Sequence, residues 1–210
     1  MKFVAMESAA RPGTMRQLHL AALCTTLTIG PVAAGAQEFA GFGGVEPRFG
    51  IVWPRDATSG PGWSLDADLG YLRTPRVRAI VGMSGFSANV DRRVGGAPLG
   101  GTLSAFGLHG ALRLDPVRTG RLSPFLAALL TLHNVNAEVS DPGVGELLDG
   151  VYAGIGFGAG LAYALDSPAR FALTAEVRRV FATNVGHGSL LFGIRWMPRG
   201  NRAADPGVGQ

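Results

Sequence analysis

A chain of 210 residues, 47% apolar and 16% charged, has the length of one domain and too much hydrophobicity for intrinsic disorder. Its 32 glycines follow no Gly-X-Y period, which excludes collagen. The formal charge of +4 falls to +2 once Lys2, Arg11, Arg16 and Glu7 of the first segment are set aside, and the remaining 16 Arg and 14 acids form no basic run, so nucleic acid is not an expected partner.

From Met15 the chain reads Arg16-Gln17, an apolar stretch from Leu18 to Val32, then Ala34-Gly35-Ala36 before Gln37. A charged start, an apolar centre and a small-x-small site are the parts of a secretory signal peptide, so residues 1–36 are expected to be removed and Gln37 to begin the mature chain. Translation from Met15 alone would give a well-proportioned signal. Gly30-Pro31 interrupts the stretch, which leaves it short of the roughly 20 residues a spanning helix needs. Cys24, the single cysteine, lies in this segment after Leu23, where a lipid-attachment motif would want a small residue. The mature chain therefore has no thiol, and with it no disulfide, no Cys-ligated zinc and no Cys nucleophile.

After a short segment, 37–44, apolar residues recur at every second position through residues 45–197, the period of a strand. Val45, Pro47, Phe49, Ile51 and Trp53 make the first run, and Trp63, Leu65, Ala67, Leu69 and Tyr71 the second. The third, about Arg76 to Val90, changes phase: Val77, Ala79, Val81 and Met83 share one face, and Phe86, Ala88 and Val90 the other, which predicts a bulge near Ser84-Gly85. Phe106, Leu108, Leu112 and Leu114 form the fourth. The fifth, Pro124 to Val135, is apolar on both faces, and its facing stays open. In the sixth, Ile155, Phe157, Leu161 and Tyr163 alternate with Gly154, Gly156, Gly158 and Gly160, a glycine row that frees volume on one face. Phe171, Leu173, Ala175, Val177 and Phe181 make the seventh, and Leu190, Phe192, Ile194 and Trp196 the eighth. Connections one, three and five (Pro54–Gly62, Asp91–Gly101, Ala137–Asp149) read as longer than two, four and six (Arg73–Pro75, Asp115–Arg121, Asp166–Arg170), and Asn184–His187 is short. A polar tail, 198–210, follows.

Eight alternating runs fit either a soluble barrel, apolar inside, or a membrane barrel, apolar outside. Three features favour the membrane. The mature chain has no Lys, and the polar face is Gly, Ala, Ser and a few Arg and acids, suited to a narrow packed lumen. Aromatics sit near strand ends, Trp53, Trp63 and Phe181 on the loop side and Tyr71, Tyr163, Phe171 and Trp196 on the turn side, as in the girdles of membrane barrels. Phe171 and Phe181 also stand a strand's length apart that, at roughly 3.3 Å per residue and about 40° of tilt, spans about 25 Å, the height of the apolar band.

The run Gly156-Phe157-Gly158-Ala159-Gly160-Leu161-Ala162-Tyr163, the Glu176-Val177-Arg178 triplet and a last strand ending in Trp196 resemble the small eight-stranded outer membrane proteins of the OmpA, OmpX and OmpW type. The resemblance covers roughly Phe42 to Trp196. It implies an all-β fold, an eight-stranded antiparallel up-and-down transmembrane β-barrel, in the outer membrane of a Gram-negative cell, in contact with outer membrane lipid and lipopolysaccharide and recognised by the outer membrane assembly machinery. In that family an aromatic usually finishes the domain; here Met197 to Gln210 follows, too short for a peptidoglycan-binding domain.

The alternation sends Glu46, Asp66, Asp68 and Glu176 into the lumen with Arg48, Arg113, Arg178, Arg195 and His109. Charges withdrawn from water must be paired, and the planar guanidinium meets carboxylates bidentately, so these residues read as a structural plug of ion pairs in preference to a narrow gated pore. Asp66 and Asp68, on one face opposite Arg, read as packing and not as an acid–base pair. His187-Gly188-Ser189 resembles the His-x-Ser element of outer membrane lipid A deacylases, but lacks its flanking Phe and Asn and turns Ser189 inward. His19 lies in the signal and His133 stands alone, so neither a metal nor another cofactor is expected, and no enzyme activity. The expectation is a monomeric outer membrane barrel with a structural or surface-contact role; the alternative is a soluble periplasmic β-barrel binding a small apolar ligand.

Overall fold

The computed structural model describes residues 42–198 apart from 56, 73–75, 95–96, 117–120, 141–144, 146–147, 167–169 and 184–185, and, for 91–99, the backbone alone. The signal segment with His19 and Cys24, and all of the tail but Pro198, lie outside the described residues. Eight strands, β1 (Gly44–Pro54), β2 (Gly60–Tyr71), β3 (Val77–Val94), β4 (Ala97–Leu114), β5 (Leu122–Val139), β6 (Gly150–Ala164), β7 (Phe171–Ala182) and β8 (His187–Trp196), pair antiparallel in sequence order. β1 also pairs with β8, so the sheet closes into a barrel without an edge. Among the described residues no helix is long and apolar enough to cross a membrane.

Alternation decides which side chains enter the barrel. On β1, Glu46, Arg48 and Val52 are buried while Pro47, Phe49, Ile51 and Trp53 are exposed. β2, β6, β7 and β8 follow the same rule, with Leu65, Phe157, Val177 and Phe192 outside. β5 is now assigned: Phe125, Leu129, Thr131, His133 and Val135 point in, and Leu126, Leu130 and Leu132 point out. Its inner face could be apolar because the glycine row of β6 lies beside it. Phe125 pairs with Gly160 and Leu129 with Gly156, and a Cβ at Gly160 would strike the Phe125 ring.

Two expectations need correction. No bulge breaks β3 near Ser84-Gly85: its register with β4 runs unbroken from Val77↔Leu114 to Val94↔Ala97, and Ile80, Phe86, Ala88 and Val90 are all buried on one face. What changes at this level is the environment. Below it, the outward row is Met83–Leu108–Leu132 and the inward row Gly82–His109–Thr131. Above it, the outward row is Ser87–Ser104–Asn136 and the inward row Phe86–Ala105–Val135. An apolar exterior with a polar interior thus gives way to the ordinary water-soluble arrangement, apolar inside and polar outside. The actual irregularity is in β2, between Asp68 and Gly70. There Gly70 takes φ 99°, a value that favours glycine, and its N–H donates to Asp68 Oδ1 at 2.8 Å.

The second correction concerns the connections. Asp91–Gly101 is not a loop, because β3 and β4 remain paired to Val94↔Ala97. Asymmetry between the two ends of the barrel comes mainly from strand length: β3, β4 and β5 have 18 residues each against 10 in β8 and 11 in β1. The extension at this loop end is closed inside by an apolar cap of Val52, Phe86, Val90, Leu103, Val135 and Ala137.

Candidate functional site

The lumen is the chemically distinctive part of the molecule. All nine residues directed inward by the sequence pattern, Glu46, Arg48, Asp66, Asp68, His109, Arg113, Glu176, Arg178 and Arg195, are buried. They are joined by Arg78 and Asp115, which the sequence reading passed over, so five Arg face five carboxylates. Arg78 was legible as the partner in alternation of Val77 and Ala79; Asp115 was not, because it follows the last residue of β4.

The ion pairs rise in tiers from the turn end. Arg78 binds Asp68, reaches Asp115 Oδ2 at 3.1 Å and donates to the Tyr71 hydroxyl at 2.6 Å. Arg113 Nε meets Asp115 Oδ1 at 3.1 Å, and its guanidinium lies 3.4 Å from the centroid of Phe125. Glu46 receives Arg195 at 2.7 Å and Arg113 at 3.5 Å. In the next tier Arg48 bridges Asp66 and Glu176. Arg178 Nε donates to Glu176 Oε1 at 2.9 Å, and His109 Nε2 lies 3.1 Å from Asp66 Oδ1. Room for these chains comes from glycine: a Cβ at Gly158 would meet Glu176 Oε1, and one at Gly193 would overlap Arg48.

Asp115, beyond the end of β4, is the carboxylate of this set that lies past the strands. Burial pushes its pKa up to about 6, opposed by Arg78 and reinforced by Asp68.

Above the ion pairs lie Thr131, His133, His187 and Ser189. His133 and His187 meet edge to face with ring centroids 5.2 Å apart, and Phe86 packs on His187 at 5.0 Å. These residues line a cavity of about 20 Å³, the size of a water site. A second cavity, about 10 Å³, lies beside Glu46, Asp66 and Arg195. Ser189 is 2% exposed, so His187-Gly188-Ser189 presents its hydroxyl to the lumen and not to the outer wall. Among the described residues no three His, Cys, Asp or Glu side chains gather as a metal-holding group.

On the outer wall, Trp53, Tyr163, Phe171, Phe181 and Trp196 are exposed and Trp63 is half-buried, each facing away from the lumen. Tyr71, expected in the girdle, is not on this wall: the irregularity between Asp68 and Gly70 reverses the alternation of β2, so Tyr71 stands opposite Arg78, shares its inward face and accepts its hydrogen bond. Trp196 pairs with Val45 and Phe171 at the turn end. Trp53 stands at the opposite end, beside Gly188.

No protein-family profile and no curated protein sequence matches the chain. Solved structures do. Neisserial surface protein A superposes with a TM-score of 0.54 at 16% identity, covering 73% of this chain and 96% of that one. OprG, an outer membrane protein of Pseudomonas aeruginosa, gives 0.51 at 10% identity, with 76% and 96% covered. Ail, the attachment invasion locus protein of Yersinia pestis, gives 0.45 at 12%, with 74% and 97% covered. The superpositions on the Neisserial protein and OprG show that the chain has the fold of the eight-stranded outer membrane β-barrels.

Proposed function

We propose that the protein resides in the outer membrane as a closed barrel with a filled lumen, and that it serves the envelope as a structural element or through surface contacts made by its loop end. The observation that carries this reading is the inversion of sidedness along β3, β4 and β5. A belt of exposed Leu, Ile, Val and Phe surrounds buried ion pairs, and this order reverses only at the loop end, where an apolar cap sits inside polar walls. A soluble barrel binding an apolar ligand would need an apolar lumen along its length, and here the lumen is ionic below the cap.

The filled lumen is supported by tiers of paired Arg and carboxylate and by the smallness of the cavities among them. Eight strands enclose an interior that side chains can fill, whereas aqueous porins use about sixteen or more. Purified protein in planar lipid bilayers is accordingly expected to show no large steady conductance; reproducible nanosiemens channels would overturn the filled lumen and make a pore the better reading. The fold supplies no substrate, and an enzymatic role has no support in the arrangement of His187 and Ser189.

A further inference from the structure

Among the described outward residues of the band between the girdles, only Arg179 is ionised; its neighbours along β7 are Val177 and Phe181, and its partners across the sheet are Phe157 and Gly188. A cation on the lipid face costs about 2–4 kcal/mol at the bilayer midplane and little near the interfaces. Arg179 sits just inside the loop-end girdle, and its guanidinium is turned toward that end, 5.8 Å from the centroid of Phe181. It thus reaches up from hydrocarbon to the headgroup level.

Two further donors gather there. Gly188 separates Arg179 from Trp53 in the β7–β8–β1 register, and the Trp53 indole lies across it so closely that a Cβ on Gly188 would strike the ring nitrogen. Arg55, exposed and two residues beyond Trp53, donates its backbone N–H to Gly186 at 2.9 Å, which ties it to the β7–β8 connection. With strands about 4.8 Å apart, Arg179 and Trp53 are separated by about 10 Å, within reach of a shared ligand for two guanidiniums and an indole N–H. Guanidinium forks match phosphate oxygens bidentately.

We propose that Arg179, Arg55 and Trp53 form a binding site for a headgroup phosphate of an outer-leaflet glycolipid of the lipid A type. The site rests on the outer membrane reading above, with the loop end outside. The full chain is to be reconstituted in nanodiscs of phosphatidylcholine doped with equal amounts of bis-phosphorylated lipid A and its dephosphorylated form, and the retained lipid counted by native mass spectrometry. The phosphorylated form should be retained about tenfold over the other, as charge-assisted hydrogen bonds allow. Arg179→Gln combined with Arg55→Gln should abolish the preference, while Arg179→Lys keeps part of it. Removing charge from a lipid-facing wall leaves the barrel free to fold.

Excess inorganic phosphate should leave the preference intact; competition by it would make this a free-anion site and overturn the proposal. Equal retention of both lipids, or a preference undiminished in the double variant, would overturn it too while leaving the membrane barrel standing. A chain that folds without detergent or lipid would instead overturn the membrane reading beneath it.

Discussion

Glu176 is 2% exposed and bonded to two guanidiniums, while Val177, the next residue, is 54% exposed on the wall. Their substitutions fail for opposite reasons. Glu176→Gln leaves Arg48 and Arg178 short of charge and is expected to cost about 3–5 kcal/mol, the range for breaking a buried pair from one side. Val177→Arg, near mid-strand, should cost about 2–4 kcal/mol by placing a cation in hydrocarbon. Urea unfolding in lipid vesicles measures both, and a nitroxide at position 177 identifies the environment: relaxation by oxygen and protection from a nickel chelate are expected, and ready access by nickel would contradict a lipid-facing wall. Asp115 offers a titration. Its folded pKa of about 6 lies above the 3.8 of an ordinary aspartate, so folding favours its protonated form. This contribution is full below about pH 3.8 and is lost as pH rises through about 6, an effect of about 3 kcal/mol. Asp115→Asn should therefore flatten the stability profile between those values; a profile as steep as that of the native protein would show that another group is responsible. At this scale the sequence was legible wherever alternation was strict, as for Glu46, Arg48, Glu176 and Arg178. It was silent on Asp115, which belongs to no alternating run, and on the pairing of His133 with His187, which depends on the closed register.

Among the strands, β1 and β6–β8, and β2 as far as Asp68, could be read from period two because each keeps one environment per face; beyond Asp68 the irregularity in β2 turns Tyr71 inward, which strict alternation could not show. β3 and β5 misled for a physical reason. A strand that passes from hydrocarbon to water exchanges its apolar face without changing its geometry, and in β3 that exchange resembles a slipped register. In β5 the inner face holds Phe125 and Leu129, whose space is provided by Gly160 and Gly156 on the neighbouring strand, information that no window on β5 contains. Outward residues of β5 provide a direct test. Leu130 is 70% exposed and belongs to the apolar belt, Asn136 lies above the exchange, and Asn134 lies at its level in the row Gly85–Phe106–Asn134. A nitroxide at 130 should respond to oxygen, and one at 136 to the nickel chelate, with 134 between them; uniform nickel access at all three would remove the boundary drawn from these rows.

For the whole molecule, a sheet with no edge and ion pairs across its interior should unfold as one unit. Unheated protein in mild sodium dodecyl sulfate is expected to migrate differently from the boiled chain, and a single band at both temperatures would argue against a closed barrel. The number of strands, their order and a closed barrel were expected from the eight runs and the family resemblance; the register in which β1 meets β8 was not, since no single run carries it. The charges gain a further meaning at that seam. Glu46 and Arg48 of β1 find Arg195 on β8 and Glu176 on β7, across the joint where the first and last strands come together. A joint offset by one residue would send β8's inward charge outward, and an offset of two would displace each guanidinium by about 6.6 Å from its carboxylate. The buried charges therefore act as a register key: a barrel closed out of alignment would hold uncompensated ions inside it, and only the alignment in which β1 meets β8 correctly neutralises them.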